Sequence, residues 1–375
     1  MAGHWHRALA CHIVRVGVHA AGALALAVAL PAAAQQNVQR YGRLTIGIEA
    51  LHASGTGDHV QRLSNNRSVI GFRGTENLGD GWQALFQVEG TLAPDTGAGS
   101  IAARDTRVGI EGPWGALFGG NWTLPYNSAT SALDPFYPTT AGYMSLMGNG
   151  AGATVSNTSN TYSFDRRQQN SVHYWTPQWN GWSARVARGM GEERPLDGAR
   201  PALLSAALIH DSGAWYATLA HEDHHDYQGR GHSDRGSKLG LAWRVTGATQ
   251  LAAVVESLRY ETATGKLRRR SAYVSATHQM GRHGLRFGLA RAQSASGSAV
   301  ETIGTLRAGA GTGATHATIG YDYLLSKRSS LFAYATRLHN GRNGIADFAI
   351  NSLERAVDTP GSTLSGVVLG MRHNF

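Results

Sequence analysis

The feature that most constrains this chain is a period of two. In Gly81-Trp82-Gln83-Ala84-Leu85-Phe86-Gln87-Val88-Glu89, Trp82, Ala84, Phe86 and Val88 share one face, and Gln83, Leu85, Gln87 and Glu89 share the other. The last segment sets Val367, Leu369, Met371 and Phe375 against Gly366, Gly370, Arg372 and Asn374. Near the start, Val38, Leu44, Ile46 and Ile48 oppose Gln39, Arg43, Thr45 and Glu49. Such alternation specifies strands with one apolar and one polar face. About sixteen segments carry it, near 38–50, 67–75, 81–92, 103–111, 115–122, 169–176, 182–190, 203–211, 214–222, 237–245, 249–260, 269–280, 284–293, 314–325, 329–338 and 363–375. After residue 35 there is neither a sustained helical stripe nor an apolar run of the ~20 residues that a spanning helix needs.

The connections add a second constraint. Short ones, Asn77-Leu78-Gly79-Asp80, Asp211-Ser212-Gly213, Thr246-Gly247-Ala248 and Ser326-Lys327-Arg328, are each followed one strand later by a long polar one. A soluble sandwich has no reason to sort its loops this way, whereas a transmembrane β-barrel puts short turns on one side and long loops on the other. Trp82, Trp114, Trp122, Trp175, Trp179, Trp182, Trp215 and Trp243 fall mostly at or near strand ends, where an amphipathic ring suits the membrane interface. In lipid every backbone group must be paired, so the sheet must close. About sixteen strands leave a water-filled lumen. The expected fold is therefore all-β, a closed transmembrane antiparallel barrel of about sixteen strands.

The amino end agrees with that compartment. Residues 1–34 hold two arginines and no acid, then Ala21–Leu30 is apolar, then Pro31-Ala32-Ala33-Ala34 precedes Gln35. This is the pattern of a cleaved secretory signal, which places the boundary near Ala34 and the barrel over 35–375. Removing Arg7 and Arg15 takes the formal net charge from +9 to +7. The single cysteine, Cys11, lies in that leader and excludes a disulfide framework or a cysteine zinc site in the remainder. Of 34 basic residues only Lys238, Lys266 and Lys327 are lysines, a bias toward planar, fixed-geometry anion contacts.

At this point the residues resemble a known family. Tyr41-Gly42-Arg43-Leu44, then Ile70-Gly71-Phe72-Arg73-Gly74-Thr75-Glu76-Asn77-Leu78-Gly79-Asp80-Gly81, then Arg104-Asp105-Thr106-Arg107-Val108-Gly109-Ile110 with Trp114-Gly115, then Asn170-Ser171-Val172-His173-Tyr174, and finally Gly370-Met371-Arg372-His373-Asn374-Phe375 follow in order. Together they resemble the trimeric general porins of the Gram-negative outer membrane, in their β-proteobacterial branch, from about residue 38 to the terminus. The resemblance implies passive diffusion of small hydrophilic solutes and ions through a lumen narrowed by the third long loop, here 121–166. It also implies a homotrimer among outer-membrane lipid and lipopolysaccharide, latched by the loop Pro94 to Ala102. The terminal Phe375 would be the signal read by the barrel-assembly machinery. No cofactor is implied.

Carried over residue by residue, the resemblance places Arg43, Arg73, Arg104 and Arg167 at the pore constriction, with Asp134 on the loop opposite. There are departures. Val69 stands where the second strand usually has an arginine, leaving open whether Arg67 compensates, and Asn121 stands where the fifth often does. The third loop is poor in acids, with Asp134 and, at its far end, Asp165. The balance points to a modest anion preference. Simple alternation from Arg104 puts Arg107 on the lipid face, costing ~2–4 kcal/mol at mid-membrane, unless the strand shifts or a neighbouring subunit covers it.

Other motifs carry less. His221-Glu222-Asp223-His224-His225 fits H-E-x-x-H, which binds zinc only when both histidines share a helical face. Here a strand is expected to end and a loop to begin. Arg268-Arg269-Arg270 lacks the interleaved aromatics of a nucleic-acid groove and suits interfacial or lipopolysaccharide-facing charge. Gly309-Ala310-Gly311-Thr312-Gly313 lacks the lysine and helix of a phosphate loop. The 17 histidines are scattered and read as solvated surface. The readings left beside a general pore are a substrate-selective channel, with an ordered aromatic or charged track in its lumen, a barrel enzyme, and a secreted soluble β-rich binding protein.

Overall fold

The structure is a computed structural model that describes residues 38–152, 156–353 and 359–375. The leader read in 1–34 lies outside the described residues. Sixteen strands form one antiparallel sheet: β1 (Gln39–Ala53), β2 (Asp58–Asn65 continued by Ser68–Gly79), β3 (Trp82–Ala93), β4 (Thr106–Gly112), β5 (Gly115–Thr123), β6 (Asp165–Trp175), β7 (Trp182–Gly189) and β8 (Ala202–Asp211). The second half is β9 (Trp215–His225), β10 (Ser233–Arg244), β11 (Thr249–Thr262), β12 (Gly265–Met280), β13 (His283–Ala292), β14 (Ala314–Leu324), β15 (Ser329–Asn340) and β16 (Thr363–Asn374). Each strand pairs with the next, and β16 returns to β1 from Arg43 opposite Asn374 to Ala53 opposite Leu364, so the sheet closes.

The seam is finished by the last residue. Gly42 N–H donates to the Phe375 carbonyl at 3.0 Å, and Phe375 N–H returns a bond to the Gly42 carbonyl at 3.1 Å. The Phe375 ring lies over Gly42 so closely that a β-carbon there would sit 2.3 Å from it. Glycine is needed at this position for close approach, not for a turn.

Alternation sorts the side chains as lipid requires. Ile48, Val108, Leu219, Val255, Ile319 and Leu369 point outward and are exposed, the reverse of a soluble core. At the short-turn end an aromatic girdle follows: Trp82 meets Trp114, Trp114 stacks on Tyr174, and Trp215 stacks on Trp243 at 5.4 Å. Two of the tryptophans expected at the interface behave differently. Trp122 and Trp175 share the inward face with Phe118 and His173.

Three expectations about elements change. The second strand is far longer than 67–75, because Arg67, at φ +54°, breaks the alternation between its two pieces and hides the first. The long-loop end is not uniformly long: residues 54–57 and 263–264 are tight hairpins, the first closed by Gly57 N–H to the Ala53 carbonyl at 2.9 Å. Finally, β9 runs through His225 instead of ending at 222.

The third long loop, 124–164, turns into the barrel. Its helix α1 (Pro125–Ser131) starts with proline, whose missing N–H costs nothing in a first turn, and packs on β8 and β9. From there the loop follows the inner wall. Ser205 receives the Tyr126 N–H, Tyr216 donates to the Ala129 carbonyl, Ser275 to the Leu133 carbonyl, and Thr318 to the Ala141 carbonyl. The last long loop also folds inward. Its Phe348 and Ile350 join Tyr143, Met144 and Met147 of the third loop in one apolar cluster.

Candidate functional site

The inward loop reaches β1 through Thr140, whose hydroxyl donates to Glu49 at 2.6 Å, and the wall formed by β1–β6 and the end of β16 is rich in guanidinium groups. Cross-strand register fixes which side chains point in. Arg43 is level with Val69, Thr45 with Arg372, and Gln39 with Arg73, so Arg43, Arg73 and Arg372 all lie on the lumen face. Arg43 is surrounded by Arg372, Arg104 and Tyr137 of the third loop. Arg67 reaches Tyr137 as well and neighbours Arg104 and Arg167. Arg43, Arg67 and Arg167 thus neighbour Tyr137, and Arg104 and Arg372 lie beside Arg43, so five arginines gather in this part of the wall. Arg67 occupies the gap that Val69 leaves, since its left-handed backbone aims the side chain inward from a break in the strand.

Two carboxylates hold parts of this wall. Glu89 pairs with Arg104 at 2.8 Å and accepts the Tyr41 hydroxyl at 3.0 Å. Asp105 pairs with Arg167 at 2.7 Å and accepts both the N–H and the hydroxyl of Thr123. Asn121 donates to the Arg104 carbonyl, so it fixes the chain there without adding charge. Arg73 is set apart toward the short-turn end, over the Tyr41 ring and bonded to Gln39.

Asp134 is differently placed from the acid expected across the constriction. It is buried inside the third loop, accepts the N–H groups of Phe136 and Tyr143 at 3.0 and 2.8 Å, and accepts the Tyr273 hydroxyl at 2.9 Å. It folds the loop and ties it to β12. Asp165 is equally withdrawn, paired with the buried Lys238 at 2.7 Å, with Glu256 of β11 on the other side of the ammonium at 3.8 Å. The pore-facing surface of the third loop, among the described residues, therefore presents no ionised acid to the arginine wall.

Arg107 does not face lipid or a neighbouring subunit; it points into the lumen. Residues 101–105 are turn and bend, Arg104 N–H donates to the Glu89 carbonyl, and Arg107 is level with Gln87. That spacing inserts one residue more than simple alternation allows, and such a bulge resets which face follows. Both Arg104 and Arg107 consequently point inward.

Three motifs also resolve. In the H-E-x-x-H stretch, Glu222 and His224 point inward and bond each other at 2.8 Å, while His221, Asp223 and His225 point outward, so the pattern is split across a strand. The triplet divides likewise: Arg268 and Arg270 face out, and Arg269 bonds the Leu146 carbonyl of the third loop. Histidines 173, 224 and 316 are buried, contrary to a solvated reading. Sequence reasoning missed Arg372 as a pore residue, although its place on the polar face of the last strand was a usable signal.

A closed sixteen-stranded barrel with an apolar outer belt, an aromatic girdle and a loop folded against a cationic wall is a transmembrane channel. The comparisons place it further. The Gram-negative porin family profile matches residues 20–343. Outer membrane porin protein 32 of Delftia acidovorans is 24% identical over 363 residues, covering 93% of this chain and 97% of that one. Major outer membrane protein P.IB of Neisseria sicca is 29% identical over 189 residues, covering 48% and 47%. Among solved structures, the anion-selective porin from Comamonas acidovorans superposes with a TM-score of 0.76 at 21% identity, over 91% of this chain and all of that one. The trimer form of OmpT from Vibrio cholerae gives 0.64 at 13%, over 91% and 99%.

The chain belongs to the Gram-negative porin family. It is an outer-membrane β-barrel with the architecture of a channel.

Proposed function

We propose that this porin is a weakly anion-preferring general pore, with Arg43, Arg104 and Arg167 of the expected set, joined by Arg67 and Arg372, as its selectivity wall. One observation carries the reading: five guanidinium groups and two paired carboxylates line the wall, while both acids of the facing loop are turned into protein. Charge in a narrow mouth with low-dielectric walls acts strongly on a passing ion. A net positive constriction concentrates anions without excluding cations. The anion selectivity named for the Comamonas porin is in keeping with this.

The wider assignment follows the same family. Residues 1–34 act as an export signal cleaved near Ala34, Phe375 addresses the assembly machinery, and three copies associate with the Pro94 to Ala102 loop as latch, as the OmpT trimer form suggests by analogy. Lipopolysaccharide phosphates are natural partners for the outward row Arg235, Arg259 and Arg268, which lie level on three adjacent strands. Asp223 and Glu261 already pair with Arg235 and Arg259, at 3.1 and 2.9 Å, and offset part of the repulsion between like charges that lie directly opposite one another.

Variants test the wall. Arg104→Ala and Arg167→Ala should each lower anion over cation permeability in salt-gradient recordings while the barrel stays folded. Unchanged reversal potentials in both would discard the assignment.

A further inference from the structure

Below the third loop, toward the short-turn end, the lumen wall holds a recess of about 540 Å³ between helix α1 and strands β6–β11. Trp175 and Arg185 stand side by side on its wall, level across β6 and β7, with the guanidinium 4.5 Å from the indole centre. Arg107 approaches the same indole at 5.2 Å, so two cations lie against Trp175. Among the described residues no carboxylate pairs with Arg185, whose hydrogen-bond contact is Ser128 Oγ at 3.5 Å. The acid of the recess, Asp211, is already bound by both terminal nitrogens of Arg244, at 2.8 and 3.2 Å. The indole N–H of Trp175 is buried without a partner. The remaining lining is half apolar, with Leu133 and Ile209, and includes the Tyr216 ring.

We propose that this recess is a solute-binding subsite for planar aromatic carboxylates. Arg185 supplies the positive charge that a carboxylate needs, and its planar face continues the stack begun on Trp175, so that an aromatic ring can lie over the guanidinium. Tyr216 and the apolar lining accept the ring. The volume lies in the range of small-molecule sites. A saturated carboxylate of the same charge gains the ion pair but not the stacking. The subsite rests on the reading of the chain as a porin, and it moves that reading toward a channel that prefers one class of substrate.

The test is single-channel recording of the full barrel in potassium chloride, with benzoate or cyclohexanecarboxylate added from the short-turn side. Benzoate should interrupt the current with dwell times about tenfold longer than its saturated analogue, the scale of one desolvated ring–cation contact. Trp175→Leu and Arg185→Gln should each bring benzoate down to the analogue's level while the salt current persists. Arg185→Lys, which keeps charge and loses the planar face, should fall between. Equal dwell times in the unaltered protein, or benzoate preference surviving both variants, would overturn the subsite and leave the pore intact. Absence of any current would instead overturn the channel reading beneath it. Calorimetric titration of benzoate into the refolded protein reads binding without conductance, and shows the same order of variants if the site exists.

Discussion

Replacing Lys238 by methionine removes a positive charge from a fully buried cluster that pins the third loop to the barrel. The ammonium lies 2.7 Å from Asp165 Oδ1, 3.8 Å from Glu256 Oε2, 3.3 Å from Thr130 Oγ1 and 4.0 Å from the centre of the Tyr126 ring. Methionine keeps the length and packs on the same ring, so the change is chiefly electrostatic. It leaves two buried carboxylates facing each other, and Asp165 already has one oxygen without a partner. Breaking a buried pair from one side costs about 3–5 kcal/mol. The strand ladder is untouched, so the loss falls on the loop's attachment, raising its detached population by about two to four orders of magnitude. In bilayers the variant should show added subconductance states and close at lower voltage than the parent, and on semi-native gels it should unfold at lower temperature. Adding Asp165→Asn should recover much of the loss, because Glu256 is still held by the Tyr126 hydroxyl and the Gly148 N–H. If Lys238→Met alone is as quiet and as heat-stable as the parent, the idea that this cluster seats the loop is wrong.

Two further predictions concern the seam and the loop. Deleting Phe375, or widening Gly42 to valine beneath its ring, should lower the yield of assembled barrel at the cell surface; normal surface levels of both would contradict the seam's importance. Burial pushes the Asp134 carboxyl up to about 6, against the opposing pull of its bonds from Tyr143, Phe136 and Tyr273. An acid raised in the folded state contributes stability that is fully present below its ordinary value of about 4 and is lost as pH rises through about 6. Voltage-driven closure should therefore become harder as the bath is taken from pH 7 to 5, and Asp134→Asn should flatten that dependence. An unchanged pH profile in the Asn variant would assign the effect elsewhere.

The strands were legible because lipid outside and water inside enforce strict alternation, which Trp82 to Glu89 shows without interruption. Legibility failed where the backbone departs from a regular ladder. A left-handed Arg67 concealed the first half of β2, and the bulge before Thr106 reversed the side on which Arg107 was expected. At the site, Arg43 followed from its place on the polar face of a strand, whereas Arg104 and Arg167 were indicated by the family resemblance. Asp134 was not, since a carboxylate in a long loop can face water or accept its own loop's N–H groups, and only three-dimensional folding decides. The lumen aromatics escaped for a similar reason. Trp175 has the strand-end position of an interfacial tryptophan, and its direction depends on register alone.

The most direct test of the central claim is the zero-current potential of the refolded protein in a planar bilayer under a potassium chloride gradient. The arginine wall, faced by a loop whose acids are withdrawn, predicts a potential of anion-selective sign, with conductance arriving in steps of three. A cation-selective sign would contradict the account of the constriction.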